Sequence, residues 1–317
     1  MRIVFMGTPE FARVALASLC ESKHEVLAVV TGRDQRTGRG RKLRPTVCRL
    51  EAERRGLPVL MPDSLRDEEL YESLEALQAD VFVVCAFRIL PRCLFSLPAH
   101  GSVNIHASLL PRYRGAAPIN WALVNGEKET GLTAFFLREA VDAGDAIVQQ
   151  TVAIDENDTY DTLSARLSEL AGPFLLKTLD MIESGNFTPQ PQDESQASRA
   201  PKIGPVDAMI DFGFPARNVR NFVRGMATKP GAYTFFRGKK LKVHACAARD
   251  ASSSPEARPG TILTVDRHLV VQCDRSAVEL LRIVPEGGKE MDGLAFVNGY
   301  RPRPGEILGE IPHGVKE

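Results

Sequence analysis

Short apolar runs alternate with amphipathic stretches through the first half of the chain. Residues 2–6 (RIVFM) are an apolar run, Gly7 turns the chain, and Thr8 and Pro9 suit a cap and the first position of a helix. Phe11, Val14, Ala15 and Leu19 then recur at helical spacing. The same alternation predicts strands over 25–31, 58–60, 80–87, 101–106, 130–137 and 146–154. It predicts helices near 46–55, 65–77, 118–124 and 159–183. The run at 80–87 (DVFVVCAF) is apolar almost without a break, as in a central parallel strand buried on both faces. Strands alternating with helices imply a Rossmann-like, doubly wound, mostly parallel α/β sheet.

The pattern then changes twice. Residues 186–205 are rich in Pro, Gln, Ser and Asp with few apolar positions, and read as a linker. Beyond them a helix near 215–224 leads into short strands near 231–236, 240–245, 260–265, 269–272 and 278–283, separated by Gly and Pro turns. Short strands at such spacing predict a small, OB-like β-barrel. The expected organisation is an α/β domain over 1–185, a linker over 186–205 and a barrel over 206–317.

Composition is that of an ordinary globular protein: 44% of residues are hydrophobic and 25% charged, enough to build cores. No apolar run reaches the length of a membrane span, and the opening run is too short for a signal peptide, so a cytoplasmic protein is expected. The six cysteines show no C-x-x-C pair and read as reduced core thiols; with six scattered histidines, no metal site is expected. The formal net charge of zero hides a sharp local imbalance. Residues 31–50 carry seven basic side chains against one acidic, and residues 205–317 carry seventeen against thirteen. Arg33, Arg36, Arg39, Arg41, Lys42 and Arg44 stand in a glycine-bearing loop with no apolar anchor. That suits either a solvated loop or a contact with nucleic-acid phosphates.

The chemistry concentrates near residue 105. Strand alternation puts Asn104 and His106 on one face at a strand's carboxyl end, where doubly wound sheets bind ligands. A polar turn, Val141-Asp142-Ala143-Gly144-Asp145, interrupts an apolar stretch and offers Asp142 as a third partner. An amide, an imidazole and a carboxylate suit attack of an amine on an acyl carbon. Fixed donors stabilise the oxyanion, and His106, oriented by Asp142, exchanges the proton. The bland alternative is a pair of strand-end residues capping a loop. Ser108 is not in a G-x-S-x-G elbow and reads as a loop hydrogen-bonding residue. Gly7-Thr8-Pro9-Glu10 lacks G-x-G-x-x-G, which disfavours a dinucleotide site.

The stretch Asn104-Ile105-His106-Ala107-Ser108-Leu109-Leu110-Pro111-Arg112-Tyr113-Arg114-Gly115-Ala116-Ala117-Pro118 resembles the signature of the folate-dependent formyltransferases. Further matches are Phe5-Met6-Gly7-Thr8-Pro9-Glu10-Phe11-Ala12, Gly38-Arg39-Gly40-Arg41-Lys42-Leu43, Asp142-Ala143-Gly144-Asp145 and Arg224-Gly225 followed by Pro230-Gly231-Ala232. They are similar to the branch of the family that acts on initiator methionyl-tRNA. The resemblance covers nearly the entire chain. It implies that the formyl group of 10-formyltetrahydrofolate passes to the methionine α-amine of that tRNA, for translation initiation. It also implies Asn104, His106 and Asp142 as catalytic residues. Folate contacts would come from Phe87, Arg88, Ile89 and Leu90 and from Ser108, Leu109, Leu110 and Pro111. The basic loop from Arg33 to Arg44 would meet the tRNA acceptor stem, the barrel its outer surface, and no metal would take part. The expected state is a monomer. The alternatives are a relative that formylates a sugar nucleotide or other small amine, and a catalytically silent RNA-binding relative. The first has no need of a basic loop, and the intact Asn104, His106 and Asp142 speak against the second.

Overall fold

The computed structural model describes residues 1–37, 42–249, 254 and 256–310. The first part of the chain gives strands β1 (Arg2–Gly7), β2 (Glu25–Val30), β3 (Gln35–Thr37), β4 (Lys42–Arg44), β5 (Val59–Leu60), β6 (Val81–Cys85), β7 (Ser102–His106), β8 (Glu129–Phe136) and β9 (Ala146–Ala153). Helices α1 (Glu10–Cys20), α2 (Val47–Arg54), α3 (Glu68–Ala76), α4 (Arg92–Phe95), α5 (Pro118–Val124) and α6 (Tyr160–Ser184) lie between and after them. Seven strands share one sheet in the order β5-β2-β1-β6-β7-β8-β9. The pairs from β5 to β7 are parallel, and β8 and β9 are antiparallel. This is the doubly wound, mostly parallel sheet that the alternation predicts.

All five residues of β6 are buried, and so are five of the six in β1. Helices cover both faces of such a sheet, so its central strands carry no polar side. On α1, Phe11, Ala12, Ala15, Leu16 and Leu19 are buried, the stripe that a 3.6-residue period selects. Thr46 caps α2, its hydroxyl accepting from the Arg49 N–H. Thr8 does not cap α1 as its position predicts. Pro9 stands at the cap, and the Thr8 hydroxyl accepts instead from the Gly32 N–H across the β1 and β2 ends.

The chain runs outward from β1 through β2 to β5, then returns to β6 on the other side of β1. The carboxyl ends of β1 and β6 therefore flank the point where the winding reverses, and Gly7 stands beside Cys85 there. One strand further along, Cys85 pairs with Ile105, which sets His106 at the same edge of the sheet.

The basic stretch is more ordered at its ends than a loop. Strands β3 and β4 form a two-stranded antiparallel ribbon, with Gln35 opposite Arg44 and Thr37 opposite Lys42. Residues 38–41 at its tip, Arg39 and Arg41 among them, lie outside the described residues.

The chain divides into two compact units. One comprises residues 1–118, 129–153 and 164–201; the other comprises residues 119–128, 154–163 and 202–317. In the second, α7 (Ala216–Met226) is followed by strands β10 (Tyr233–Phe236), β11 (Lys239–Arg249), β12 (Ile262–Val265), β13 (Leu269–Gln272), β14 (Ala277–Pro285) and β15 (Met291–Asp292), then by α8 (Gly293–Tyr300). The strands make an antiparallel curled sheet in the order β10-β11-β14-β13-β12. The segment 305–309 links its two edges: Ile262 N–H donates to Glu306 O, and Gly309 N–H donates to Phe235 O. Ala216, Val219, Val223 and Met226 of α7 pack into the core of this sheet with Leu241, Val243, Val271 and Ile283.

Within the second unit Arg224 and Gly225 have structural work. The Arg224 guanidinium donates to the carbonyls of Asp155 (3.2 Å) and Asp158 (3.3 Å) and to Asn221 Oδ1 (3.0 Å), so one side chain holds a loop against α7. The Asn120 amide donates to Gly225 O at 2.8 Å, and a methyl on Gly225 would stand 2.7 Å from Val124 Cγ2 and 3.0 Å from Asn120 O. Gly225→Ala is expected to cost about 1–3 kcal/mol of stability by overpacking against α5. A thermal melt reads the loss, and an unchanged Tm would mean that α5 yields there.

Four of the cysteines are buried as expected, and burial pushes the Cys48 thiol up to about 12. Cys93 departs from the expectation: it sits on the short helix α4 and is exposed. No described helix is long and apolar enough to cross a membrane.

Candidate active site

Strand β7 delivers two of the predicted side chains. Asn104 and His106 alternate with the fully buried Val103 and Ile105, and His106 is itself only 7% exposed. The ring nitrogens of His106 are distinguishable. Nε2 lies 2.9 Å from Tyr113 O, and a carbonyl can only accept, so Nε2 carries the hydrogen. Nδ1 then faces Asp142 Oδ2 at 3.8 Å. The predicted third partner is in place, although its turn lies 36 residues further along the chain than His106.

Asp142 has a left-handed backbone, with φ of 52°. That conformation is uncommon for a side chain other than Asn or Asp, and it aims the carboxylate inward from the turn. Oδ2 accepts from Gly115 N–H at 2.8 Å, which ties the Asp142 turn to the loop after β7. Two more residues with positive φ, Ala86 and Tyr113, sit in the connections leaving β6 and β7. Asn104 Oδ1 is buried and has no hydrogen-bond partner among the described residues. A buried acceptor left open beside a histidine and a carboxylate is the mark of a ligand-binding position.

The loop from Ser108 to Pro111 is pinned rather than free. The Ser108 hydroxyl donates to Arg112 O, and the Thr133 hydroxyl donates to Ser108 O while accepting from Leu110 N–H. Gln149 Nε2 donates to Leu110 O at 2.7 Å. Ser108 is fully buried and Leu110 nearly so, and the Ser108 carbonyl and both backbone groups of Leu110 are already bonded within the protein. In the other predicted segment Leu90 is buried in the apolar core, while Ile89 is 73% exposed. The Arg88 guanidinium donates to Asp63 O and Pro62 O and lies 5.3 Å from the centre of the Phe87 ring. Phe87 and Arg88 line a cleft of about 510 Å³ with Thr8, Gly32, Arg33 and Asp63, at the carboxyl ends of β1, β2, β5 and β6.

Of the basic set, Arg33 pairs with Asp63, and both side chains are mostly exposed, a weak pair in water. Arg44 is exposed at the end of β4. Arg36 and Lys42 fall on the two strands of the ribbon. Among the described residues His24, Asp180 and Glu183 bring three potential metal-ligand atoms together. Lys23 Nζ already sits 2.8 Å from both carboxylates, and the terminal amine lies 3.2 Å from His24 Nδ1.

What the pattern of residues did not reveal is a strap over 190–200. Ser198 Oγ accepts from Tyr113 N–H, and Ser198 O accepts from Arg114 N–H. Gln192 Nε2 donates to the carbonyls of Asp142 (2.8 Å) and Gly144 (2.7 Å), while its Oε1 accepts from the Arg114 guanidinium. Residues 186–201 belong to the first unit. The stretch is poor in apolar residues because polar bonds, not apolar burial, hold it down.

Two family models cover almost all of the chain: one described as formyl transferase matches residues 1–179, and its C-terminal-domain counterpart matches residues 202–301. The chain belongs to the formyl transferase family. A methionyl-tRNA formyltransferase of Moorella thermoacetica is 42% identical over 311 residues, which cover 98% of this chain and 99% of that one. A methionyl-tRNA formyltransferase of Geotalea uraniireducens is 39% identical over 312 residues, 98% of both chains. A solved N-formyltransferase of Helicobacter canadensis, in complex with folinic acid and dTDP-3-aminofucose, superimposes with a TM-score of 0.66 at 17% identity, over 88% of this chain and 98% of that one. At that identity the likeness speaks for the shared fold, not for the acceptor. Membership of the family makes formyl transfer the class of reaction.

Proposed function

We propose that this formyltransferase moves the formyl group of 10-formyltetrahydrofolate to the α-amine of methionine on initiator methionyl-tRNA. The observation that carries the reading is the convergence of Asn104, His106 and Asp142, with a buried amide oxygen open and one imidazole nitrogen facing a carboxylate. The full-length relatives named for this activity support the acceptor.

The amine nitrogen attacks the formyl carbon, and a carbon–nitrogen bond forms. The carbonyl oxygen takes up negative charge and needs fixed donors. Turned by 180°, the Asn104 amide presents Nδ2 to that oxyanion; as it stands, its Oδ1 accepts an N–H of the incoming amine. His106, with Nε2–H spent on Tyr113 O, offers Nδ1 as the site for the proton, and Asp142 stabilises the cation formed when a proton is there. The bond from the formyl carbon to the folate nitrogen then breaks, and that nitrogen takes the proton. Asn104, His106 and Asp142 are the catalytic residues of this scheme. Residues 87–90 and 108–111 are the folate contacts it assigns. Arg33, Arg36, Arg39, Arg41, Lys42 and Arg44 are its tRNA contacts.

The test is steady-state formyl transfer to charged initiator tRNA, set beside free methionine, an amino-sugar nucleotide and water as acceptors. Transfer to the tRNA should exceed every other by orders of magnitude; robust transfer to the sugar with none to tRNA would sink the acceptor. With tRNA, Arg41→Ala should raise KM and flatten the dependence of log KM on log salt by about one ion. An unchanged slope would remove the basic ribbon from the interface.

A further inference from the structure

We infer that Gln192 is a positioning residue for the reaction, a cross-tie that holds the Asp142 turn at its distance from His106. This rests on the catalytic reading above. Four hydrogen bonds carry the inference, and they use the whole side-chain amide. Its two N–H groups go to the carbonyls of Asp142 and Gly144, at 2.8 and 2.7 Å. Its oxygen takes Nε and Nη2 of Arg114, at 3.0 and 2.8 Å. No other uncharged side chain of that length offers two donors at one end and an acceptor able to take a guanidinium edge.

The place of these bonds matters as much as their number. Asp142 stands in the left-handed region, which Asp tolerates, and bonds from outside the turn set how that turn sits. Gln192 grips the carbonyls on either side of Ala143, which fixes the direction in which the Asp142 carboxylate leaves the backbone. Through Arg114 the same amide reaches the loop whose Tyr113 carbonyl fixes the His106 tautomer. Arg114 is in turn locked by Glu194, at 2.8 and 2.9 Å, and by backbone bonds to Ser198 and Ala200. The carboxylate and the imidazole come from elements 36 residues apart, and one strap, 50 residues beyond Asp142, binds the supports of both.

Gln192 touches neither reacting atom, so its loss should appear in turnover more than in binding. Misplacing a catalytic group by a fraction of an ångström lowers the rate with little change in affinity. Gln192→Glu separates the two ends of the tie. It keeps the bond to Arg114 but turns a carboxylate oxygen, which cannot donate, toward the carbonyls of Asp142 and Gly144.

The experiment measures single-turnover formyl transfer to methionyl-tRNA, KM for both substrates and Tm. The variants are Gln192→Ala, Gln192→Glu, Asp142→Asn and the double variant Gln192→Ala/Asp142→Asn. The expected result is a transfer rate about tenfold lower in both Gln192 variants, with each KM within about twofold. Tm should move by only a few degrees. Gln192→Ala should cost less than about twofold more once Asp142 is already Asn, because residues acting through one another are not additive. A rate within twofold of the parent in Gln192→Ala, full activity in Gln192→Glu, or the same tenfold loss in both backgrounds would each overturn the positioning role while leaving the catalytic trio standing. Full activity in Asp142→Asn would overturn the trio, and the inference with it.

Discussion

Replacing Asp142 by Asn is expected to lower kcat by about a thousandfold, and His106→Ala by at least as much, with the fold intact in the first case. General acid–base groups of this type contribute about 10²–10⁴ in rate. Asn keeps the shape of Asp142, tolerates its positive φ and can still accept the Gly115 N–H through an oxygen, so the turn has no reason to move. What it loses is the charge that stabilises a proton on His106 Nδ1. His106→Ala removes a side chain only 7% exposed, and it also leaves Tyr113 O without its donor. Part of its effect will therefore be structural, and Tm must be measured beside kcat. Near-normal turnover in Asp142→Asn, with folding shown by circular dichroism, would take catalysis away from this cluster.

Gly144→Ala should be almost as damaging by a different route. A methyl at this position would overlap the carbonyl oxygen of Phe136, which is backbone at the end of β8 and cannot swing aside. Phe136 is fixed from its other side, its N–H donating to Asp145 O at 3.1 Å. Relief must come from shifting the turn, and the turn carries Asp142. The expected outcome is a loss of stability of about 1–3 kcal/mol with kcat down by at least a hundredfold. Hydrogen exchange at residues 141–145 should rise. A melt and turnover matching the parent would show that the turn has slack that the close approach denies.

The sheet was readable because its central strands are uniform. The apolar run within residues 80–87 reads as buried on both faces, as Val81–Cys85 are, and one such run fixes a parallel sheet and the end at which ligands bind. Asn104 and His106 were readable because alternation is a local rule. Asp142 was readable as a polar interruption, although its approach to His106 needed the fold. The strap was not readable. Gln192 bonds to Asp142 and Arg114, 50 and 78 residues away, through contacts that leave no period in the sequence. The ribbon over 35–44 was hidden because three-residue strands show too little alternation to detect. Helix α8 was missed because Gly293 and Gly299 blur its pattern, and only the Asp292 cap, accepting from Ala295 N–H, announces it. Phe87 and Arg88 were named through the family resemblance alone; their segment reads as a plain strand end, and their place at the cleft needed the fold.

The interleaving of the two compact units bears on how the chain can be cut or inherited. A break after residue 201 looks clean on paper, but the piece before it would still carry 119–128, whose Asn120 amide donates to the Gly225 carbonyl of α7, and 154–163, whose carbonyls Arg224 of α7 holds. Any recombination that swaps one unit for a foreign one must bring those two inserts along with the far third of the polypeptide. Shuffling at a single crossover would graft a barrel without its buttresses.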